Sequence, residues 1–291
     1  MQDLVYVLIT PAHNEAVFIE NTIRSVINQK ILPLKWIIVD DGSTDNTLEI
    51  AKNYQGKFEF IDIVTLERQS HRTFASKVRA FNSGFEKIKN LNFDFIGNLD
   101  ADITFESDYY EKILSKFQKN AKLGIAGGDR YDYVNGEFEK VIRSSNSVSG
   151  AVQLFREKCF SEIKGYRELD YGGIDAVAES MARFAGWEVQ TFRDIIFHHH
   201  RRTGTAKNSI LISYFRNGIK EYLIGYHPLF EFLRIASKVT SKPFLMGSLI
   251  WLYGFLWASI RRYNRPVPNE FVINLRAEQL QRLKHFSSIR D

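Results

Sequence analysis

The chain has one cysteine, Cys159, in 291 residues. A lone thiol cannot close an internal disulfide, which excludes a small oxidised scaffold held by cross-links. The opening Met1-Gln2-Asp3-Leu4 lacks the basic stretch of a secretory signal. Both absences set the expectation of a cytosolic protein. Histidines are few, and their one cluster, His198-His199-His200 with scattered carboxylates, lacks the ligand spacing of a zinc site. Uncharged stretches are short as well. Phe244 to Ile260 holds 17 residues without a formal charge, against the roughly 20 of a usual bilayer-crossing helix. At about 1.5 Å per residue it extends roughly 25 Å, so a thin crossing, re-entry and a place in the membrane interface all stay open. Repeats and low-complexity runs are absent. With 44% hydrophobic and 25% charged residues the composition is that of a folded protein, not a disordered one.

What the chain does have is an uneven charge. Residues 1–192 carry 23 Lys and Arg against 28 Asp and Glu, and residues 193–291 carry 16 against 6, so a net +5 splits into −5 and +10. A basic tail attracts nucleic acid or anionic lipid. Here Lys238 and Lys242 precede, and Arg261, Arg262 and Arg265 follow, a stretch containing Leu249-Ile250-Trp251-Leu252-Tyr253. Trp and Tyr in apolar company favour an anionic membrane surface and count against nucleic acid. The expected location is therefore cytoplasmic, peripheral or monotopic at the inner face of the cell membrane. A buried helical cap is the alternative for the tail.

The first hundred residues alternate short β-rich runs with segments of helical period, the pattern of a parallel α/β sheet. Leu4 to Thr10 reads as a buried strand and is followed by a helix with Phe18, Ile19, Thr22, Ile23, Val26 and Ile27 on one face. A second strand covers Trp36 to Val39, and Ser43 or Thr44 is the expected cap of a helix reaching Tyr54. A third strand is expected over Phe58 to Val64, a helix over Phe74 to Lys89, and further strands over Phe93 to Leu99 and Leu123 to Ala126. Ser144 to Gly150 and Tyr171-Gly172-Gly173 read as binding loops.

Two acid pairs carry the chemistry. Asp100-Ala101-Asp102 ends a strand, where residues two apart face one side, so both carboxylates can converge on one ligand. Mg²⁺ and Mn²⁺ favour oxygen ligands and complete their shells with substrate phosphates, and a departing diphosphate needs its charge neutralised. Asp40-Asp41 ends an earlier strand, and ligands of open α/β sheets gather at the carboxyl ends of strands. The plain alternatives are a solvated turn for the first pair and a helix-capping turn for the second.

Leu8-Ile9-Thr10-Pro11-Ala12-His13-Asn14-Glu15, Ile38-Val39-Asp40-Asp41-Gly42-Ser43-Thr44-Asp45 and Asp100-Ala101-Asp102 together resemble the family 2 glycosyltransferases of bacterial surface-polysaccharide type. The resemblance covers about residues 4–200 and implies an α/β, GT-A fold with a Rossmann-like, mostly parallel sheet. It implies a catalytic domain over 1–205, with a nucleotide half to about 105 and an acceptor half beyond. An amphipathic, membrane-associating helical region over 206–291 would follow.

In such enzymes the nucleotide would be held by Pro11, Ala12, Glu15, Asp40 and Asp41, with Asp100 near the ribose. Asp102 would bind the divalent cation, Mg²⁺ or Mn²⁺. Lys77, Arg79 and Asn82 fall where the family often has a basic, Asn-containing helix beside the nucleotide. One histidine of the triplet, His199 being the candidate, would reach the metal, and Arg201 and Arg202 would close over the diphosphate. Three adjacent histidines cannot all face one ion. Asp175 is the expected base, in Gly172-Gly173-Ile174-Asp175, where many relatives show Glu-Asp and this chain has Ile-Asp. An ordinary helix N-terminal acid is the alternative. Asp129 and Arg156 fall on the expected acceptor surface.

The activity so implied is inverting, metal-assisted transfer of one sugar from a UDP-, GDP- or dTDP-linked donor to a hydroxyl of a lipid-linked or growing surface glycan. A nucleotidyltransferase would carry a glycine-rich phosphate loop after the first strand, and Thr10 to Glu15 has no glycine. A non-catalytic nucleotide-sugar-binding protein is the other alternative. Processive synthases carry several transmembrane helices and a Gln-x-x-Arg-Trp motif, and the sequence shows neither.

Overall fold

The computed structural model describes residues 4–68, 73–142, 144–201, 210–237 and 244–288. These form two compact units, residues 1–166 with 174–203, and residues 167–173 with 204–291. The first unit begins β1 (Tyr6–Ala12), α1 (Ile19–Ile27), β2 (Lys35–Asp41), α2 (Thr47–Gln55), β3 (Ile61–Leu66), α3 (Phe74–Ile88) and β4 (Phe95–Asn98). It continues β5 (Ile103–Phe105), α4 (Tyr109–Lys119), β6 (Leu123–Val134), β7 (Glu137–Lys140), β8 (Leu154–Arg156), α5 (Glu157–Glu162), α6 (Ile174–Phe184) and β9 (Glu188–His199).

The sheet runs β3-β2-β1-β4-β8-β6-β9-β5, with β7 paired to β6 off that path. The four strands β3, β2, β1 and β4 are mutually parallel, and β6 lies parallel to β9, while β8 runs against both its neighbours. β1 and β2 are apolar on both faces, as strands covered by helices on each side must be. Tyr6, Leu8, Trp36 and Ile38 pack on one face with Ile19, Ile23 and Val26 of α1. Val7, Ile9, Ile37 and Val39 pack on the other with Val78 and Phe81 of α3. The parallel strands therefore deliver their carboxyl ends, at Ala12, Asp41 and Asn98, to one edge.

Two boundaries differ from the sequence expectation. The third strand starts at Ile61, because the amides of Lys57 and Phe58 still bond back to Tyr54 and close the end of α2. α2 itself begins at Thr47 rather than after Ser43 or Thr44. Asp45 takes the organising part there, its Oδ1 accepting from the Thr47 amide at 3.0 Å.

The second unit holds α7 (Ile210–Ile224), α8 (Pro228–Ala236), α9 (Phe244–Ile260) and α10 (Asn269–Ser288). α7 and α9 cross with their backbones in contact. A Cβ on Gly218 would lie 2.1 Å from the Trp251 carbonyl oxygen, and one on Gly254 2.2 Å from that of Phe215. Residues 167–173, which include the expected loop Tyr171-Gly172-Gly173, group with these helices instead of the sheet. Among the described residues no helix is long and apolar enough to cross a membrane. Arg202, Lys238 and Lys242 lie outside the described residues.

Candidate active site

Two loops at the carboxyl edge are stitched together by hydrogen bonds. After β1 the chain turns through Asn14, at φ 55°. The Asn14 amide donates to Ser43 Oγ at 3.1 Å, the Thr44 amide donates back to Asn14 Oδ1 at 2.8 Å, and the Glu15 amide donates to Thr47 Oγ1 at 2.7 Å. His13 Nδ1 lies 2.8 Å from the Asp41 carbonyl oxygen. Gly42 completes the second loop at φ 65°, where a Cβ would come within 2.6 Å of Arg68 Cα. Side chains on both loops are thus fixed by backbone geometry.

They border an open cleft of roughly 210 Å³ lined by Pro11, Ala12, His13, Glu15, Asp41, Lys77, Asp100, Ala101 and Asp102. Seven of the residues singled out from the sequence meet here. Asp40 does not line the cleft. Its buried side chain accepts from the Ser43 amide at 3.4 Å and serves the turn. Arg79 stays beside α3, donating to Ser76 Oγ at 2.9 Å, and its charge offsets the burial that raises the Asp41 carboxyl. Asn82 is exposed and not among the lining residues. His13 also lines the cleft, with no chemical mark in the sequence to single it out.

The cleft packs acids close together. Lys77 Nζ pairs with Asp100 Oδ1 at 2.5 Å, and Asn98 Nδ2 donates to the same oxygen at 3.2 Å. Arg201 Nη2 reaches Glu15 Oε2 at 2.6 Å, and its Nε stands 4.0 Å from Asp102 Oδ2. Burial pushes the Glu15 carboxyl up to about 7, and the charges of Asp102 and Asp100 add to the rise while Arg201 opposes it. An acid so poised marks a place where a further cation would be welcome.

His199 settles which histidine of the triplet faces this cluster. Its Nε2 lies 3.4 Å from Asp102 Oδ2, with both side chains buried. His198 instead packs against Phe138 at 4.4 Å between ring centres, and His200 Nε2 lies 2.8 Å from Thr104 Oγ1. On its other side His199 Nδ1 is 2.9 Å from Arg130 Nη2 and 3.2 Å from Asp132 Oδ1, and Arg130 and Asp132 pair with each other. A guanidinium only donates and a carboxylate only accepts. With its proton on Nε2, the ring accepts from Arg130 and donates to Asp102. With the proton on Nδ1 it donates to Asp132, which sets that N–H against the Arg130 donor 2.9 Å away so that the guanidinium must turn aside, and the Nε2 lone pair faces the Asp102 carboxylate. Two acceptors 3.4 Å apart then require a cation between them.

Atoms each about 2.1 Å from one divalent ion stand roughly 3.0–3.4 Å apart at angles of about 90–110°, so Asp102 and His199 fit Mg²⁺ or Mn²⁺. Asp132 completes the carboxylate–histidine support such ligands need. Among the described residues no group of three or more His, Cys, Asp and Glu could hold an ion. Burial alone would raise the Asp102 carboxyl, but the His199 hydrogen bond with the charges of Arg201 and Lys77 holds it below the ordinary value.

Asp175 stands in the first turn of α6 against Gly150, where a Cβ would lie 2.9 Å from Asp175 Oδ2. The Gly150 carbonyl accepts from Asn98 Nδ2 at 2.6 Å, and the Asp100 amide donates to the Ala151 carbonyl at 2.9 Å. One short segment therefore touches both the Asp-x-Asp and Asp175. Glu179, one helical turn beyond Asp175, anchors that segment. Its Oε1 accepts from the Val148 amide at 2.7 Å and from Gln153 Nε2 at 3.1 Å, and Gln153 Oε1 accepts from the Tyr166 hydroxyl at 2.8 Å.

Burial pushes the Glu179 carboxyl up to about 7; the Val148 hydrogen bond opposes the rise and the Asp175 charge adds to it. The folded chain then holds this proton more tightly than the unfolded one, so stability falls as pH rises from the ordinary value of 4.5 to about 7. Glu179→Gln keeps the accepting oxygen and removes the titration. The expected result is a melting temperature matching the parent near the lower pH and exceeding it above neutrality, by on the order of 2 kcal/mol in stability. Equal pH slopes in thermal melts of the two proteins would contradict it.

Asp129 and Arg156, expected on the acceptor surface, are both engaged within the fold. Asp129 is buried and paired with Lys140 at 2.7 Å. Arg156 donates to the carbonyls of Phe117, Asn120 and Leu123 and lies over the Phe95 and Phe117 rings, which ties the end of α4 to the sheet.

A mostly parallel sheet with its carboxyl-end loops closed around an acid-lined cleft is the design of the GT-A glycosyltransferases. The sequence model described as Glycosyl transferase family 2 matches residues 7–184, over half of the chain, and the chain belongs to that family. It is 24% identical over 201 residues to the poly-beta-1,6-N-acetyl-D-glucosamine synthase of Staphylococcus epidermidis, a match covering 62% of this chain and 44% of that protein. The synthase of the same name from Staphylococcus aureus strain COL is 24% identical over 197 residues, covering 61% and 45%. The chain thus spans less than half the length of these curated relatives.

Among solved structures, S. aureus TarS 1-349 in complex with UDP-GlcNAc superposes with a TM-score of 0.55 at 16% identity, covering 96% of this chain and 81% of that one. The mannosyltransferase PcManGT from Pyrobaculum calidifontis, in complex with GDP-Man and Mn²⁺, gives 0.55 at 14% identity, covering 88% and 73%. At such identities the likeness concerns the fold.

Proposed function

We propose that the protein is an inverting glycosyltransferase that moves one sugar from a nucleotide-sugar to a hydroxyl of a lipid-linked or growing surface glycan. The observation that carries this reading is the convergence of Glu15, Asp41, Lys77, Asp100 and Asp102 on one cleft at the carboxyl ends of parallel strands. Asp41 accepts from the base or ribose, Asp100 stands at the ribose with Lys77 beside it, and Arg201 meets the diphosphate. Asp102 and His199 would hold Mg²⁺ or Mn²⁺, whose charge stabilises the departing diphosphate. Asp175 takes the proton of the acceptor hydroxyl as that oxygen attacks the anomeric carbon opposite the leaving group. The names of the relatives, two polymer synthases and structures bound to UDP-GlcNAc and GDP-Man, support a glycan product and a nucleotide-sugar donor. Single addition, not processive synthesis, remains the proposal for this chain.

The basic character of residues 193–291 supports a place at an anionic membrane surface, on the cytoplasmic side, with no part for nucleic acid. A panel of UDP-, GDP- and dTDP-sugars with Mn²⁺ or Mg²⁺ tests the activity. Release of nucleoside diphosphate from at least one donor, lost on chelation, is expected. Release of pyrophosphate from nucleoside triphosphates together with a sugar phosphate, and none from the panel, would favour a nucleotidyltransferase. Tight donor binding without turnover on any glycan acceptor would favour a binding protein.

A further inference from the structure

Two helices of the helical unit bury polar side chains and expose apolar ones. A helix of a water-soluble protein turns apolar residues inward and polar ones outward. α8 reverses this. Its Glu231 is fully buried, and Arg234 beside it pairs with Glu231 at 2.9 Å and with the buried Glu221 of α7 at 3.0 Å. Its outward residues are Leu229, Phe232 and Leu233. On α9, Leu249, Tyr253 and Leu256 face outward while Ser248 is buried, its hydroxyl donating to the Ile235 carbonyl of α8. These six apolar residues are 45–56% exposed, whereas Glu221 and Glu231 are at most 3% exposed.

The two helices meet along this polar seam, where the Arg234 guanidinium also covers the Trp251 ring at 5.0 Å. Their apolar sides lie on the surfaces turned away from it. Burying an ion cluster while exposing leucines is the costly arrangement in water, since buried ion pairs rarely repay their desolvation. In a bilayer the preference reverses, and ionisable side chains face the bundle interior. The end of α9 fits that solvent too. Arg261 lies over Trp257 at 4.7 Å, exposed Arg262 follows, and Arg265 lies over Tyr222 at 4.6 Å while donating to its carbonyl, the mixture of aromatic and basic groups found at headgroup level.

We infer that α8 and α9 immerse their outer faces in the acyl layer of a single leaflet, with the arginines after α9 at the lipid phosphates. This rests on the membrane placement proposed above and changes its nature from an electrostatic contact to a hydrophobic one. A helix of 17 residues, roughly 25 Å long, is short for a crossing, so the inference is entry into one leaflet.

The test uses the full chain, with vesicles of phosphatidylcholine alone and of phosphatidylcholine with phosphatidylglycerol. Each is examined at low salt and at about 1 M salt, where the screening length is roughly 3 Å. Sedimentation with neutral vesicles is expected and should survive the salt. Phe232→Glu and Leu249→Glu should each lower the partition at least tenfold while thermal unfolding and nucleotide binding stay as in the parent. Binding confined to anionic vesicles and released by salt would overturn insertion and leave surface docking standing. No binding to any vesicle would overturn both. A dimer in sedimentation equilibrium that ignores vesicles would show that a second copy covers these faces, and would equally overturn insertion.

Discussion

Replacing Asp102 by Ala is expected to lower sugar transfer by about 10²–10³-fold, the range for losing one group that stabilises developing charge, while the chain stays folded. Asp102 sits after β4 at the cleft, where its side chain faces His199. Its removal also relieves crowding among the acids, because its charge contributes to the elevation of the Glu15 carboxyl to about 7. The response to added metal separates a metal role from a merely structural one, and the Glu15 titration checks the crowding of the acids. Transfer by the parent should rise with added Mn²⁺ or Mg²⁺ and that of the variant should not. The Glu15 carboxyl, followed by NMR titration, should move down towards its ordinary value of 4.5. A variant that still answers to the metal with full turnover would remove Asp102, and with it His199, from the cation site.

The same residues show where sequence reasoning stops. Parallel strands with continuous apolar faces announce themselves, and the end of each such strand is where ligands gather, so Asp41, Asp100 and Asp102 could be found from pattern alone. Asp40 could not be separated from Asp41. That choice depends on which of two neighbours faces the cleft, a matter of strand register. Asn98 was within reach, since it stands two residues before Asp100 on the same face. So was the Arg130-x-Asp132 pair, which has the same spacing.

Glu179 and Gly150 carry no such mark. A buried glutamate one turn along α6 reads as an ordinary polar position, and its partners Val148 and Gln153 lie 31 and 26 residues away in the chain. Arg156 is the opposite case: a basic residue in the expected acceptor half donates to helix-end carbonyls. The inverted α8 was equally hidden, because Glu231 and Arg234 look like a solvated pair until their burial is known.

Asp175→Asn is expected to keep donor affinity within about twofold and to lower transfer by about 10²–10⁴-fold, the contribution typical of a general base. The amide preserves the shape that rests against Gly150, where the fit leaves no room for even a methyl group, but it cannot take the acceptor's proton. Calorimetry with the donor, run beside turnover, reads the two effects separately. The competing role, a helix N-terminal acid favoured by the macrodipole, makes a different forecast. Loss of the charge would then cost about 0.3–1 kcal/mol of stability and leave turnover intact. Gly150→Ala provides an independent check, because its added Cβ would stand 2.9 Å from Asp175 Oδ2 and so displace the carboxylate without changing its chemistry. If Asp175 is the base, Gly150→Ala lowers turnover and spares donor binding as Asp175→Asn does. Full turnover in Asp175→Asn, or equal losses of donor binding and transfer, would place the base elsewhere in the cleft.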